Sequence, residues 1–145
     1  MKMKIYISND HRGVGLKIYL AEMLGADGYE VENLGCDDPN TPADFPVITK
    51  LATDKLLKDT EARAIVICGT GAGAVIAANR FRHIRATRCE RPDQATADRF
   101  HDDVNLLAFG ADDVDPEQAF LTAKAFLESP FDAAERRIRR LKEIS

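Results

Sequence analysis

The chain has 145 residues, of which 45% are hydrophobic and 30% are charged, and its formal net charge is -4 at pH 7. This composition is typical of a soluble globular protein, predicts a single domain over residues 1–145, and argues against general affinity for nucleic acid. The three cysteines have no paired spacing, and neither a signal peptide nor an apolar run of about 18 residues occurs, so we expect a reducing, cytoplasmic setting without disulfides or membrane contact.

Short β-rich runs alternate with helical patterns along the chain. The strands are predicted at residues 4–8, 30–34, 64–68, 84–89 and 105–109. The helices are predicted at residues 14–24, 45–57, 73–80, 93–100, 116–127 and 133–144. Asp44 and Asp115, each followed closely by a proline, predict two of the helix starts. The alternating order predicts an α/β fold with a parallel sheet covered by helices on both faces.

Chemically capable residues follow two of the predicted strands. Asp10 and His11 come after the first strand, and Cys68 ends the third strand just before Thr70 and its flanking glycines. In open parallel sheets, ligands bind at the carboxyl ends of the strands. We therefore expect these side chains to gather at one edge of the sheet, although a capping aspartate and a surface histidine are an alternative for Asp10 and His11.

Cys68 is the strongest candidate for chemistry, because an apolar strand runs into it and a glycine-rich turn then opens a helix. Backbone N–H groups at a helix N-terminus can bind an anion and favour a thiolate. Cys68 is thus a candidate nucleophile or general base, the alternative being a cysteine that packs as a small hydrophobe. Cys36 and Cys89 also end predicted strands but lack a glycine turn, so packing is expected for both.

The glycine turn is partly similar to a dinucleotide-binding pattern, with Glu90 about 20 residues further on. Here, however, the glycines follow the third strand rather than the first, so a nucleotide is only a weak alternative and no cofactor is predicted. Three scattered histidines and no histidine–cysteine cluster give no metal-ligand set, so no metal is predicted either.

Two further groups lie away from this edge. His101 follows a predicted helix and precedes the fifth strand, which places it at the amino-terminal edge, opposite Cys68. A structural role for His101 is an alternative; if both residues are catalytic, a symmetric dimer must bring the two edges together. Arg136 and Arg140 share one face of the last helix because they are four residues apart. This face is either a solvated surface or a binding site for a phosphate, which guanidinium groups bind well.

These motifs together resemble the ribose-5-phosphate isomerase B family, which includes the galactose-6-phosphate isomerase subunits. The likeness covers nearly the whole chain. The matching segments, besides the arginine-rich last helix, are Asp10-His11-x-Gly13, Asp44-Phe45-Pro46, Ile67-Cys68-Gly69-Thr70-Gly71-x-Gly73, Ala77-Ala78-Asn79, Ile84-Arg85-Ala86, Arg99-x-His101-x-Asp103 and Asn105-x-Leu107-Ala108-x-Gly110.

The resemblance implies a Rossmann-like three-layer α/β/α sandwich with a five-stranded parallel sheet and a C-terminal helix. It implies a homodimer or homotetramer whose active sites are shared between subunits. The implied reaction is isomerisation of a sugar phosphate between aldose and ketose through a cis-enediolate, as in the pentose phosphate pathway, without metal or cofactor.

The resemblance also implies a role for each matching residue. Cys68 would be the base, and Thr70 with the partner subunit's His101 would open the sugar ring. The turn N–H groups would stabilise the enediolate oxygen. The remaining implied contacts to substrate are Asp10 with sugar hydroxyls, Phe45 with the ring, and His11, Arg136 and Arg140 with the phosphate. The turn glycines concerned are Gly69, Gly71 and Gly73.

Three segments depart from the family pattern, one of them the last helix, which has Ala134-Glu135-Arg136-Arg137 where the family has Gly-Gly-Arg-His. Asp102 follows His101 where the family usually has asparagine, and Asp112 follows the fifth strand where the family usually has a phosphate-facing arginine. An acid near a phosphate weakens its binding unless Arg88, Arg137 or Arg139 compensates. The alternatives are therefore a tetrose or hexose phosphate, an unphosphorylated sugar, or a non-catalytic sugar-binding paralogue.

Overall fold

A parallel five-stranded sheet forms the centre of the computed structural model, which describes residues 2–145. Its order is β2-β1-β3-β5-β4, and every pair of neighbouring strands is parallel. The strands are β1 (Lys4–Asn9), β2 (Glu30–Asn33), β3 (Arg63–Cys68), β4 (Ala86–Arg88) and β5 (Leu106–Gly110). The α/β fold predicted from the sequence is thereby confirmed.

Six α-helices connect and cover the strands described. They are α1 (Val14–Ala26), α2 (Phe45–Lys58), α3 (Ala72–Ala78), α4 (Pro92–Asp102), α5 (Pro116–Glu128) and α6 (Glu135–Ile144). A 3₁₀ turn at His11–Gly13, which the sequence did not predict, precedes α1. Both predicted N-cap positions are correct, but only Asp115 caps with its side chain, accepting a hydrogen bond from the Gln118 N–H at 3.1 Å.

Alternating side chains divide the core into two clusters. On β3, Ile65 and Ile67 point to the face covered by α1 and α5, where Leu20 and Phe126 are fully buried. Val66 and Cys68 point to the other face, which α2 and α3 cover. Because successive strand residues face opposite sides, this pattern places the Cys68 thiol beneath α2 and α3.

The structure differs from the sequence predictions at one cysteine and one strand. β4 is shorter than predicted: Ile84 and Arg85 stay in the loop, where the Arg85 N–H donates to the side chain of Asn105 at 2.8 Å. Cys36 was predicted to pack in the core, and this prediction is wrong, because the residue lies half-exposed in the loop after β2. Cys89 is buried as expected, and burial raises the pKa of its thiol to about 12.

Candidate active site

The Cys68 thiol lies at the carboxyl end of β3, with 4% of the residue exposed. The chain then turns sharply, with Gly71 at φ 82°, a left-handed conformation that glycine adopts readily. This conformation aims the Gly71 N–H back at the sulfur, to which it donates a hydrogen bond of 3.2 Å. This hydrogen bond fixes the sulfur against the start of the turn.

Asp10 lies beside this turn because β1 and β3 are neighbouring parallel strands. It is buried, and its N–H donates to the Ile67 carbonyl at 3.0 Å. One carboxylate oxygen, Oδ1, accepts from the N–H groups of Arg12 and Gly13, at 3.0 and 3.2 Å. The capping role considered for Asp10 is thus present, and it fixes the carboxylate at the edge of the site.

His11, in the 3₁₀ turn, and Phe45, the first residue of α2, line the same edge. The Nδ1 atom of His11 accepts from the Ala43 N–H at 3.2 Å, so a neutral imidazole carries its proton on Nε2. Phe45, 41% exposed, covers the glycine turn: a Cβ placed on Gly73 would lie 2.9 Å from the ring. The glycine at position 73 therefore allows the aromatic ring to approach the turn.

Thr70 is exposed at the tip of the turn, and its hydroxyl accepts from the Ala72 N–H at 3.4 Å. Its backbone carbonyl accepts from Nε of Arg88 at 2.7 Å. The hydrogen bond to Glu90, and next the one to Asp113, raise the pKa of the Arg88 guanidinium above its ordinary value. Arg88 is therefore a permanent cation bound to the turn.

The acidic segment after β5 is paired with arginines, and one of these pairs was not predicted. Asp112 forms an ion pair with Arg12, and Asp113 pairs with Arg88 at 2.9 Å. Of the expected compensating residues, Arg137 instead pairs with Asp132. The sequence analysis missed Arg12; the neighbouring positions of the strand ends of β1, β3 and β5 were the available signal.

The remaining candidates lie at the opposite edge, as the sequence predicts for His101. His101 and Asp102 end α4, both exposed, just before β5 begins. The length of β5 alone separates this edge from the end of β3 by roughly 15 Å. Within one chain, His101 and Cys68 do not meet.

The last helix lies at the same edge of the sheet as His101. Arg136 and Arg140 are exposed on α6, which packs against α4. Arg137 fixes that packing, since its guanidinium lies 4.9 Å from the centre of the Phe100 ring. The two candidate arginines are therefore on the His101 side and not beside Cys68.

A cavity of about 720 Å³ also lies on the His101 side, lined by Asp102 and by residues of α6 and the loop after α3. Within residues 2–145, no helix is long and apolar enough to cross a membrane. The same residues contain no group of three or more His, Cys, Asp or Glu side chains placed to bind a metal ion.

The fold is that of an α/β enzyme, and its candidate ligand site lies at the carboxyl ends of β1 and β3. The family model described as Ribose/Galactose Isomerase matches residues 5–144. The chain therefore belongs to the ribose/galactose isomerase family, and it is an aldose–ketose isomerase.

Solved structures agree with this assignment. The ribose 5-phosphate isomerase of Thermotoga maritima is 36% identical, with a TM-score of 0.95 over 99% of this chain and 98% of that chain. The ribose-5-phosphate isomerase B of Mycoplasma genitalium, solved with bound ribulose 5-phosphate, is 30% identical, with a TM-score of 0.93 over 99% of this chain and 95% of that chain.

One relative has a different kind of substrate. The 4-deoxy-4-sulfo-D-erythrose isomerase of Clostridium sp. (strain MSTE9) is 38% identical over 74% of this chain and 68% of its own length. This chain is thus similar both to proteins named as isomerases of a phosphorylated sugar and to one named as an isomerase of a sulfonated sugar.

Proposed function

We propose that this enzyme interconverts ribose 5-phosphate and ribulose 5-phosphate through a cis-enediolate, with Cys68 as the base. The observation that carries the proposal is the hydrogen bond from the Gly71 N–H to the buried Cys68 sulfur. A thiolate at this position can take a proton from one of the two reacting carbons and return it to the other, which is general base catalysis without a change of oxidation state overall.

The developing enediolate oxygen needs hydrogen-bond donors. We assign this role to the N–H groups of the Gly69–Gly73 turn, which lies at the N-terminus of α3. Asp10, fixed by its capping hydrogen bonds, orients the sugar hydroxyls. Phe45 covers the turn and excludes water from the reacting carbons.

The ring of the aldose must open before the proton moves. In this proposal the partner subunit's His101, together with Thr70, opens it, because His101 of the same chain lies at the far edge of the sheet. The partner's Asp102 then lies next to the sugar. A homodimer, or a homotetramer built from such dimers, brings the two edges together.

The phosphate requires cations. His11, whose Nδ1 accepts from the Ala43 N–H, is assigned to it together with the partner subunit's Arg136 and the partner subunit's Arg140, since these arginines lie on the His101 side of the chain. Guanidinium groups suit bidentate binding of phosphate oxygens.

A second candidate substrate is a four-carbon sugar sulfonate. The charged network beside the turn contains three carboxylates, of Glu90, Asp112 and Asp113, against two guanidinium groups. A phosphate carries about -1.5 to -2 at pH 7, whereas a sulfonate carries a single negative charge. The net negative charge of the network therefore repels a phosphate more strongly than it repels a sulfonate. The relative that isomerises a sulfonated erythrose supports this alternative.

The experiment is proton exchange followed by NMR in D₂O. Purified protein is incubated with ribose 5-phosphate, with 4-deoxy-4-sulfo-D-erythrose, and with other four- to six-carbon sugars and sugar phosphates. Deuterium entering C1 or C2 with ribose 5-phosphate supports the first proposal. Exchange with the sulfonate alone supports the second, and exchange with neither contradicts both.

A further inference from the structure

The segment that follows β5, Ala111–Asp113, lies directly against the glycine-rich turn. The Ala111 N–H donates to the Cys68 carbonyl at 2.8 Å, and the Asp112 N–H donates to the Gly69 carbonyl at 3.0 Å. The approach is close, since a Cβ placed on Gly110 would lie 2.5 Å from the Thr70 carbonyl oxygen. The backbone of this segment thus supports the start of the turn.

On one side of the turn, Asp112 acts through Arg12. The two side chains form an ion pair, and the guanidinium of Arg12 lies over Gly69, where an added Cβ would be 2.5 Å from Cζ. The pair therefore places a planar group against the residue that directly follows Cys68.

On the other side, Asp113 acts through Arg88. Three different nitrogens of Arg88 bind three different acceptors: Nε binds the Thr70 carbonyl at 2.7 Å, and the two terminal nitrogens bind Glu90 at 2.7 Å and Asp113 at 2.9 Å. This use of the whole guanidinium fork fixes its orientation, which the point charge of a lysine does not reproduce.

We propose that Asp112 and Asp113 are positioning residues, which fix the turn carrying Cys68 and Thr70 through Arg12 and Arg88. This inference rests on the proposed role of Cys68. Both guanidinium groups are already paired within the chain, so the network is assigned to the turn and not to the substrate's phosphate. The network also explains what the acidic residues after β5 do.

The expected effect is on the rate and not on folding. The paired side chains are roughly one-third to one-half exposed, and ion pairs of this kind contribute little to global stability. A reacting group displaced by about 1 Å, in contrast, can lose about 100-fold in rate.

The test compares Arg88→Lys, Asp112→Asn and Asp113→Asn with the wild-type protein. We measure kcat and KM by proton exchange, and the rate of Cys68 alkylation by iodoacetamide, followed on its peptide by mass spectrometry. Each variant is expected to lose about tenfold in kcat with KM changed by less than about twofold, and to show a changed alkylation rate at Cys68. Thermal unfolding is measured in parallel, and an unchanged melting temperature is expected.

The matched control is Asp54→Asn, which removes an ion pair with Lys50 on α2 of similar exposure but away from the turn. It is expected to leave kcat and alkylation at the wild-type values. Wild-type kcat and alkylation in all three test variants would overturn the positioning role. A raised KM with unchanged kcat would also overturn it, by showing a role in substrate binding.

The Cys68→Ala variant separates this inference from the proposed function. If Cys68→Ala is inactive and the three test variants match the wild-type protein, only the positioning role is wrong. If Cys68→Ala retains full activity, the proposed function is wrong, and the positioning role is overturned with it.

Discussion

The two edges of the sheet differ in how completely their candidate residues are fixed by the chain itself. At the carboxyl edge, Cys68 and Asp10 are buried, and both accept hydrogen bonds from backbone N–H groups. At the amino edge, His101, Asp102, Arg136 and Arg140 are exposed. The first group has the fixed geometry expected of half of a site, and the second is a set of exposed polar side chains. This difference favours an active site assembled from two copies of the chain.

The largest expected effect is at the preorganised edge. Cys68→Ala removes the proposed base, and we expect kcat for proton exchange to fall about 10³-fold, since general base catalysis contributes 10²–10⁴-fold. The fold is expected to persist, because the substitution removes a single sulfur atom. NMR exchange in D₂O measures the loss.

The control for this variant is Cys36→Ser, which changes a half-exposed thiol in the loop after β2. It is expected to retain wild-type exchange. Near-normal turnover of Cys68→Ala would show that another group is the base.

His101→Ala tests the exposed edge. Turnover of ribose 5-phosphate is expected to fall about 10²-fold, because ring opening loses its acid–base group. Ribulose 5-phosphate cannot close a five-membered ring, so deuterium exchange at its C1 is expected to continue in this variant. Equal loss of both reactions would mean that His101 acts in the proton transfer itself.

The sequence predicted the sheet and the carboxyl edge well, for a physical reason. The order of the strands and the rule that parallel strands end together place Asp10 beside Cys68 without knowledge of any side-chain contact. The strand order also brings Arg12 and Asp112, 100 positions apart, to this edge, but which side chains pair there depends on side-chain geometry that the strand order does not fix. The short β4 likewise depends on a side chain, that of Asn105, which accepts the Arg85 N–H just before the strand begins.

Gly71→Ala sharpens the comparison at the turn. A β-carbon at φ 82° is strained, and it would lie 3.1 Å from the backbone of Phe109 and Gly110. We expect the free energy of unfolding to fall by about 1–2 kcal/mol, as measured by urea denaturation.

Gly15→Ala is the control, at an open position in α1. It is expected to stabilise the protein by about 0.5–1 kcal/mol, since alanine is the better helix former. Equal effects of the two substitutions would contradict the claimed strain at Gly71.

The smallest effect on the free energy of unfolding is expected at His83, an exposed residue in the loop after α3. This residue has φ 71° without being a glycine. His83→Gly is expected to raise the free energy of unfolding by about 0.5–1 kcal/mol, because relief of left-handed strain exceeds the entropic cost of glycine. His83→Ala keeps the strain and should show no gain, and a similar gain in both variants would contradict this explanation.

Mixing two inactive variants tests the shared site most directly. Subunits of Cys68→Ala and His101→Ala are combined by co-expression with two different tags, and ribose 5-phosphate turnover is measured. If each site takes Cys68 from one subunit and His101 from its partner, half of the dimers are mixed and each has one intact site. About a quarter of the wild-type activity then returns. Activity that stays at the average of the two variants would contradict the shared site.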